Sequence, residues 1–383
     1  MSRLAFVSAC LLHAILIGAG YMSLPPMAMR IAADGWPLQH VEQAWSLLPL
    51  FSIPSAFATA HLLKRYGLRK LLAAVAVFGA AALGARALAP TFIVYAVILA
   101  LYGALTGVLL TLLTLWIGST APEQQGRRQA LFFGSYALGA AASVTAAEAL
   151  AQLLGGWRPV QLLWAITSLM IALLALQSAK GSSINAQSRV ENETFSKSRA
   201  IAYAAAYASY VGGYLALSNI LPTRLRLMGW DPGLADSALA GSTLGFLGGS
   251  AVLGWLSDRY GHQDRMFRAG MAGMAIATLT GWWLASQGAF VTSLALFTFS
   301  GACAGSMSLF FAQMMADPAF TGQGQARLVS WATAASYAGG FVVPFGIAEL
   351  PLSESLISPV IIAMFLIAAA IAFPARDQAA TQV

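Results

Sequence analysis

The chain has 383 residues, 58% of them hydrophobic and 9% charged, with a formal net charge of +7 at pH 7. Soluble domains carry about 25% charged residues, so this composition cannot cover a water-facing surface and excludes an ordinary soluble protein. Two cysteines, Cys10 and Cys303, each inside an apolar run, leave neither a disulfide framework nor a metal-ligand cluster.

Apolar runs of about 20 residues or more, the length that crosses hydrocarbon, recur about twelve times. They are continuous Ala, Leu, Gly and Ile stretches, not the alternating segments of about ten residues that a membrane barrel needs. In hydrocarbon the backbone must satisfy itself, so the runs are helices. The expected fold is an all-α membrane protein of twelve transmembrane helices. The spans are 4–31, 42–63, 71–89, 91–117, 129–153, 159–178, 200–222, 234–257, 267–286, 289–316, 327–350 and 355–374. Arg3 ahead of the first run resembles a secretory signal, but the run continues past residue 20 and eleven more follow.

In chain order, the first span carries His13, read as a helix–helix contact because no acid sits one turn away. The third holds Arg86 near its outer end, where it either snorkels to the headgroups or attracts an anionic solute. The fourth holds Tyr102, Thr106 and the pair Gly103 and Gly107, whose spacing lets helices approach closely. In the fifth, Tyr136 faces the presumed midplane and Glu148 is an acid well inside the span. An intramembrane acid is a candidate proton site. The favoured alternative is a vestibule carboxylate paired with Arg158 or another outer arginine.

The polar interval from Ser178 to Ser198 divides the chain into bundles 1–178 and 200–383, joined by a linker, 179–199. The seventh span places Tyr203, Tyr207, Tyr210 and Tyr214 on one helical face, with Asn219 near its outer end. That face is either the wall of a solute cavity or a helix–helix seam. Gly301 and Gly305 repeat the glycine pair in the tenth span, beside Ser306, and Ser336 and Tyr337 follow in the eleventh. The tyrosines, Thr106 and the serines are candidate hydrogen-bond partners of a solute. Tyr102, Tyr136, Tyr207, Tyr210, Tyr214 and Tyr337 head that set.

The halves repeat. Gly67 and Gly261 are 261 − 67 = 194 residues apart, and Gly35-Trp36 and Gly229-Trp230 keep the same offset. Anchors at one offset mark a duplicated unit, and duplicated apolar chains are how many transporters are built. Arg30 and Arg226 occupy matching places at an offset of 226 − 30 = 196, as a symmetric outer gate or a trace of duplication.

The loop after the eighth span reads Gly254-Trp255-Leu256-Ser257-Asp258-Arg259-Tyr260-Gly261. It is similar to the Gly-x-Leu-x-Asp-Arg-x-Gly loop of the major facilitator superfamily, and the chain resembles that superfamily over essentially its whole length. The first-half copy departs from it, with Lys64 where the acid is expected. Weaker similarity, in Leu24-Pro25-Pro26 and Leu221-Pro222, is to cyanate-transporter-like importers of small solutes and organic anions. The resemblance implies two pseudo-symmetric six-helix bundles with a small-molecule substrate between them, moved by alternating access, in the direction of uptake. It also implies a conformational latch in which Gly254, Asp258, Arg259 and Gly261 meet the start of the fifth span at Arg127 and Arg128.

An exporter of the same fold is the alternative, although the glycine-proline signature of antiporters is missing from 134–151. A polytopic membrane enzyme is more remote, since neither His-Glu-x-x-His nor Gly-x-Ser-x-Gly occurs. Without a Walker-type loop ATP does not drive the cycle directly, and no cofactor is expected. The expected partners are the bilayer and the solute, with protons if transport is secondary-active and none if it is facilitative; no nucleic acid is needed, and the chain is read as a monomer.

Lys64, Arg65, Arg69, Lys70, Arg127, Arg128, Lys197, Arg199, Arg259, Arg265 and Arg327 all fall on one side of the twelve spans. By the positive-inside rule that side is cytoplasmic, with both termini, in the inner membrane of the cell. Reporter fusions are expected to place Ser182 in the cytoplasm and Gly229 outside. Either one on the wrong side overturns the span count.

Overall fold

The computed structural model describes residues 3–118, 125–178, 194–321, 323–349 and 354–371. Among the described residues twelve helices follow one another. The first is α1 (Leu4–Ala32). A continuous stretch, Leu38–Ala87, is broken at Gly67 into α2 (38–66) and α3 (68–87). Then come α4 (Phe92–Gly118), α5 (Gln125–Leu154), α6 (Trp157–Ser178), α7 (Lys197–Leu227), α8 (Pro232–Tyr260) and α9 (Gln263–Ser286). The last three are α10 (Phe290–Ala316), α11 (Gln323–Glu349) and α12 (Glu354–Ile371). Among the described residues, nine helices are long and apolar enough to cross a membrane; α2, α9 and α12 fall short of that measure. An isolated bridge, Phe195 to Phe320, is the one β feature among the described residues.

Large apolar side chains such as Val97, Ile166, Met170, Ile276 and Val291 point outward, as lipid-facing positions do, while small residues fill the seams. The duplication is visible in backbone and packing. Gly67 and Gly261 both adopt left-handed conformations, with φ of 73° and 69°, which glycine reaches at no steric cost. The arginine before each turn lies over its neighbouring tyrosine, Arg65 over Tyr66 at 5.3 Å and Arg259 over Tyr260 at 5.5 Å. Trp36 meets Phe92 edge-on at 5.7 Å, and Trp230 meets Phe290 edge-on at 4.9 Å.

The glycine pairs are packing devices, because a Cβ at Gly103 would meet the Leu48 carbonyl and one at Gly301 the Ser242 carbonyl. These contacts join α4 to α2 and α10 to α8, and the carbonyl residues are 242 − 48 = 194 apart. Likewise Gly139 of α5 abuts Ala14, and Gly339 of α11 abuts Ala208, again 208 − 14 = 194 apart. Between the halves, α5 packs along α8 and α11 along α2. Leu247 lies against Gly134 in the first of these seams, and Pro49 against Gly340 in the second.

Neighbouring glycines of α8 separate packing from propensity. A Cβ at Gly249 would strike the Ala302 carbonyl, whereas one at Gly248 meets nothing within 4 Å. Gly249→Ala is expected to destabilise by about 1–3 kcal/mol through overpacking. Gly248→Ala should be neutral or slightly stabilising, since alanine is the better helix former. Thermal midpoints in detergent check this, and equal midpoints for the two variants contradict it.

Candidate functional site

The site begins with a defect in α1. Residues His13–Ala19 form a π-helical segment, followed by a turn of 3-10 helix at Pro25–Met27. π-Segments in helices are frequent at functional sites because they release carbonyls and re-aim side chains. Pro25 and Pro26 also lack the N–H groups that the carbonyls of Tyr21 and Met22 would receive in an unbroken helix.

Neighbouring helices supply the missing donors. The Tyr102 hydroxyl donates to the Leu16 carbonyl, and Trp45 Nε1 donates to the Tyr21 carbonyl at 3.1 Å. Arg86 Nη2 donates to the Gly20 carbonyl at 3.2 Å and to Gln161 Oε1 at 3.0 Å. Gln161 Nε2 donates in turn to Ser23 Oγ at 3.3 Å. The broken helix is therefore braced from α2, α3, α4 and α6.

On its other side, α1 borders a cavity between the two sets of six helices, with about 710 Å³ of atom-free space counted to its open mouth. The first six helices contribute His13, Ile17, Tyr21, Leu110, Phe133 and Tyr136. The second six contribute Tyr207, Tyr210, Val211, Tyr214, Leu215, Phe246, Met307, Ser336 and Tyr337. Six of the eleven tyrosines in the chain thus line one space, and among the described residues no Asp, Glu, Lys or Arg does. Such a wall offers aromatic faces and hydroxyl groups and no formal charge. His13 Nδ1 donates to the Phe132 carbonyl at 2.9 Å, which leaves Nε2 as the acceptor of a neutral imidazole.

The two ends of the cavity differ in chemistry. At the end away from the basic loops, Arg30 of α1 pairs with Glu148 of α5. Arg226 of α7 makes a bidentate pair with Asp236 of α8 at 2.7 and 2.8 Å. Glu148 lies within electrostatic reach of Arg226, so the two pairs adjoin across the halves. Beside them Asn219 Nδ2 donates to the Glu42 carbonyl at 3.4 Å, and the Glu42 carboxylate faces Thr223 and Arg224. Toward the basic end the boundary is aromatic: Phe133 and Phe311 rings lie 4.7 Å apart, with Tyr207 edge-on to Phe311 at 5.0 Å.

Of the residues expected to meet a solute, Tyr136, Tyr207, Tyr210, Tyr214 and Tyr337 line the cavity, as does Ser336. Tyr102 and Thr106 sit one layer behind, where Thr106 Oγ1 lies 2.9 Å from the Tyr21 hydroxyl. Ser306 is buried against Gly270 of α9, and Met307 takes the wall position beside it. Tyr203 leaves the tyrosine stripe; its hydroxyl donates to Asp317 at 3.0 Å, beside the Arg199–Asp317 ion pair of 2.9 Å. Arg86 does not snorkel. It is 0% exposed and turned into the bundle.

Glu148 is paired with Arg30, while Arg158 is taken by Asp34 at 3.0 Å. Of the latch set, Gly254, Arg259 and Gly261 lie at the basic end of α8, and Arg128 lies over the Phe6 ring at 6.0 Å. The side chains of Asp258 and Arg127 lie outside the described residues. Sequence reasoning missed Tyr21, Phe133 and Phe246 as wall residues. The one signal for Tyr21 was its place a turn before the Pro25-Pro26 break.

Residues 9–344 match the family model described as Major Facilitator Superfamily. The chain belongs to the major facilitator superfamily. No curated protein matches. A solved structure of the superfamily's proton:xylose symporter XylE, bound to 6-bromo-6-deoxy-D-glucose, superposes with a TM-score of 0.74 at 12% identity. The match covers 96% of this chain and 93% of that one. At that identity the likeness shows the fold: twelve helices arranged as in the superfamily. Superfamily members are transporters of small solutes and not enzymes, and this chain is one of them.

The two ion pairs differ in burial, and so in what breaking them does. Arg226 and Asp236 side chains are 11% and 6% exposed, against 36% and 25% for Arg30 and Glu148. Asp236→Asn strands a desolvated guanidinium and is expected to cost about 3–5 kcal/mol. Glu148→Gln should cost about 0–1 kcal/mol. The double variant Arg226→Met with Asp236→Leu should recover most of the loss. Thermal unfolding in detergent reads all three, and a harmless Asp236→Asn contradicts the assignment.

Proposed function

We propose that this transporter carries a small organic solute inward across the cytoplasmic membrane by alternating access. The observation that carries the reading is the tyrosine-lined cavity between the halves, with a polar closure at one end and an aromatic boundary at the other. Both closures join residues of α1–α6 to residues of α7–α12, so a rocking of one half against the other opens either end without unfolding a helix. The polar closure suits reversal, because each of its charges can be rehydrated when that end opens. The basic loops put the aromatic end in the cytoplasm under the positive-inside rule. In this reading 1–178 and 200–383 move as bodies and 179–199 links them.

The latch belongs to the same cycle. The resemblance of its loop to the superfamily's implies that Asp258 meets the first turn of α5; an acid at the start of a helix is favourable by about 0.3–1 kcal/mol, so that contact favours the state closed at the cytoplasmic end. Lys64, in the matching place, has the wrong sign, and the second-half latch therefore dominates.

Spin labels test both points in a variant lacking Cys10 and Cys303. One pair is placed at Leu153 and Leu227, the other at Tyr66 and Tyr260, all exposed positions. Each pair is expected to show two distance populations that exchange in opposite senses. Asp258→Asn should enlarge the population open at the Tyr66–Tyr260 end. A single fixed distance at both ends contradicts alternating access, and an unshifted Asp258→Asn removes the latch.

A further inference from the structure

Arg86 is the feature that bracing alone does not explain. Its side chain is fully buried inside the first six helices, and one nitrogen, Nη2, makes both of its hydrogen bonds. Nε and Nη1 are buried without an acceptor. The groups acting on its charge are Tyr102, Tyr95 and Tyr21, with no carboxylate among them. The described acids of that half are engaged elsewhere: Asp34 with Arg158, Glu148 with Arg30, and Glu42 with Thr223 and Arg224.

A neutral amide would brace the Gly20 carbonyl as well, without desolvating a charge that stays ionised at every accessible pH. The retained property is the charge itself, and its position gives it a target. The guanidinium lies over the Tyr102 ring at 4.7 Å, that ring is 6.1 Å from the Tyr21 ring, and Tyr21 is a wall of the cavity. The sequence from guanidinium to solute space is Arg86, Tyr102, Tyr21, cavity, with no water-filled layer needed between them. In a low-dielectric interior, an uncompensated charge at that remove sets the sign of the potential.

We propose that the cavity takes a small aromatic or apolar monoanion, such as a carboxylate, and that Arg86 is the positioning residue that selects its charge from behind the wall. This rests on the cavity being the solute site. Tyrosine hydroxyls donate to the anionic group, and the tyrosine faces and Phe246 pack on its body. Aromatic cages also attract cations. Here no carboxylate among the described residues lines the wall to help a cation, and the uncompensated charge of Arg86 repels it. The absence of any cationic side chain at the wall fits as well: a direct ion pair would hold the solute too firmly for release, whereas a field from one layer back favours entry of the charge class without a contact to break.

Benzoate, benzamide and benzamidine are near-isosteric and carry charges of −1, 0 and +1, so they serve as probes. Each is titrated against the purified full-length protein, and the concentration giving half of the maximal thermal stabilisation is read. Benzoate is expected to act at about tenfold lower concentration than benzamide, as a single charge at that remove implies, with benzamidine last. Arg86→Gln keeps a donor for Gly20 and should bring benzoate to within about twofold of benzamide, leaving benzamide itself in place. Arg86→Lys should retain the charge order, and if Arg86→Gln fails to fold, that variant and the wild-type order decide.

Equal weakening of all three probes in Arg86→Gln would mean a purely structural arginine and overturn the proposal. So would benzamidine acting at the lowest concentration, or a benzoate preference that survives Arg86→Gln. No stabilisation by any probe overturns the aromatic monoanion as the solute class. The spin-label distances stand apart from this result, so a wrong solute class is distinguishable from a failure of alternating access.

Discussion

Hydrocarbon offers no hydrogen bonds, so a helix that breaks within the membrane must find its donors inside the protein. That constraint organises the first half of this transporter. The π-segment and the two prolines of α1 release carbonyls beside the cavity, and Tyr102, Trp45 and Arg86 from three other helices meet them. An unbroken α1 would need none of these side chains. The bend aims His13, Ile17 and Tyr21 at the solute space, so the same defect that requires bracing also builds the wall.

The second half reaches its wall differently. Its α7 runs unbroken from Lys197 to Leu227 and presents Tyr207, Tyr210 and Tyr214 by helical spacing alone. Tyr210 and Tyr214 stack at 6.0 Å with rings nearly parallel. Duplication is therefore preserved in the scaffold, in the left-handed glycines and the glycine-to-carbonyl seams, and abandoned in the site. Identical halves would bind a symmetric solute. Divergence at α1 and α7 is what lets the cavity hold an asymmetric one.

The closures illustrate how a membrane protein can be firm and still reversible. Apolar packing gives little preference for helix association when the alternative is lipid. Specific polar contacts at the end away from the basic loops, and interlocked rings at the other, supply the discrimination. The Arg226–Asp236 and Arg30–Glu148 pairs each lie within one half, the first desolvated and the second partly exposed, while the Asn219–Glu42 contact joins the halves and Asn219 is itself buried.

The sequence by itself determined the class, the twelve helices and the repeat, because each depends on composition or on spacing along one helix. The tyrosine stripe of α7 was legible for the same reason, and Tyr207, Tyr210 and Tyr214 stand where periodicity put them. The tertiary structure alone decided what lies opposite. Tyr203 belongs to an Asp317 anchor 114 residues away in sequence, and Tyr102 and Thr106 fall behind Tyr21 because α1 is bent across them. The place of Arg86 near a span end offered either snorkelling or attraction of an anionic solute, and the Gly20 carbonyl exposed by the α1 break, drawing it inward, removes the first. Hydropathy records how apolar a segment is; which of its polar groups face one another depends on helix rotation and on carbonyls freed in another segment, and neither is written in local pattern.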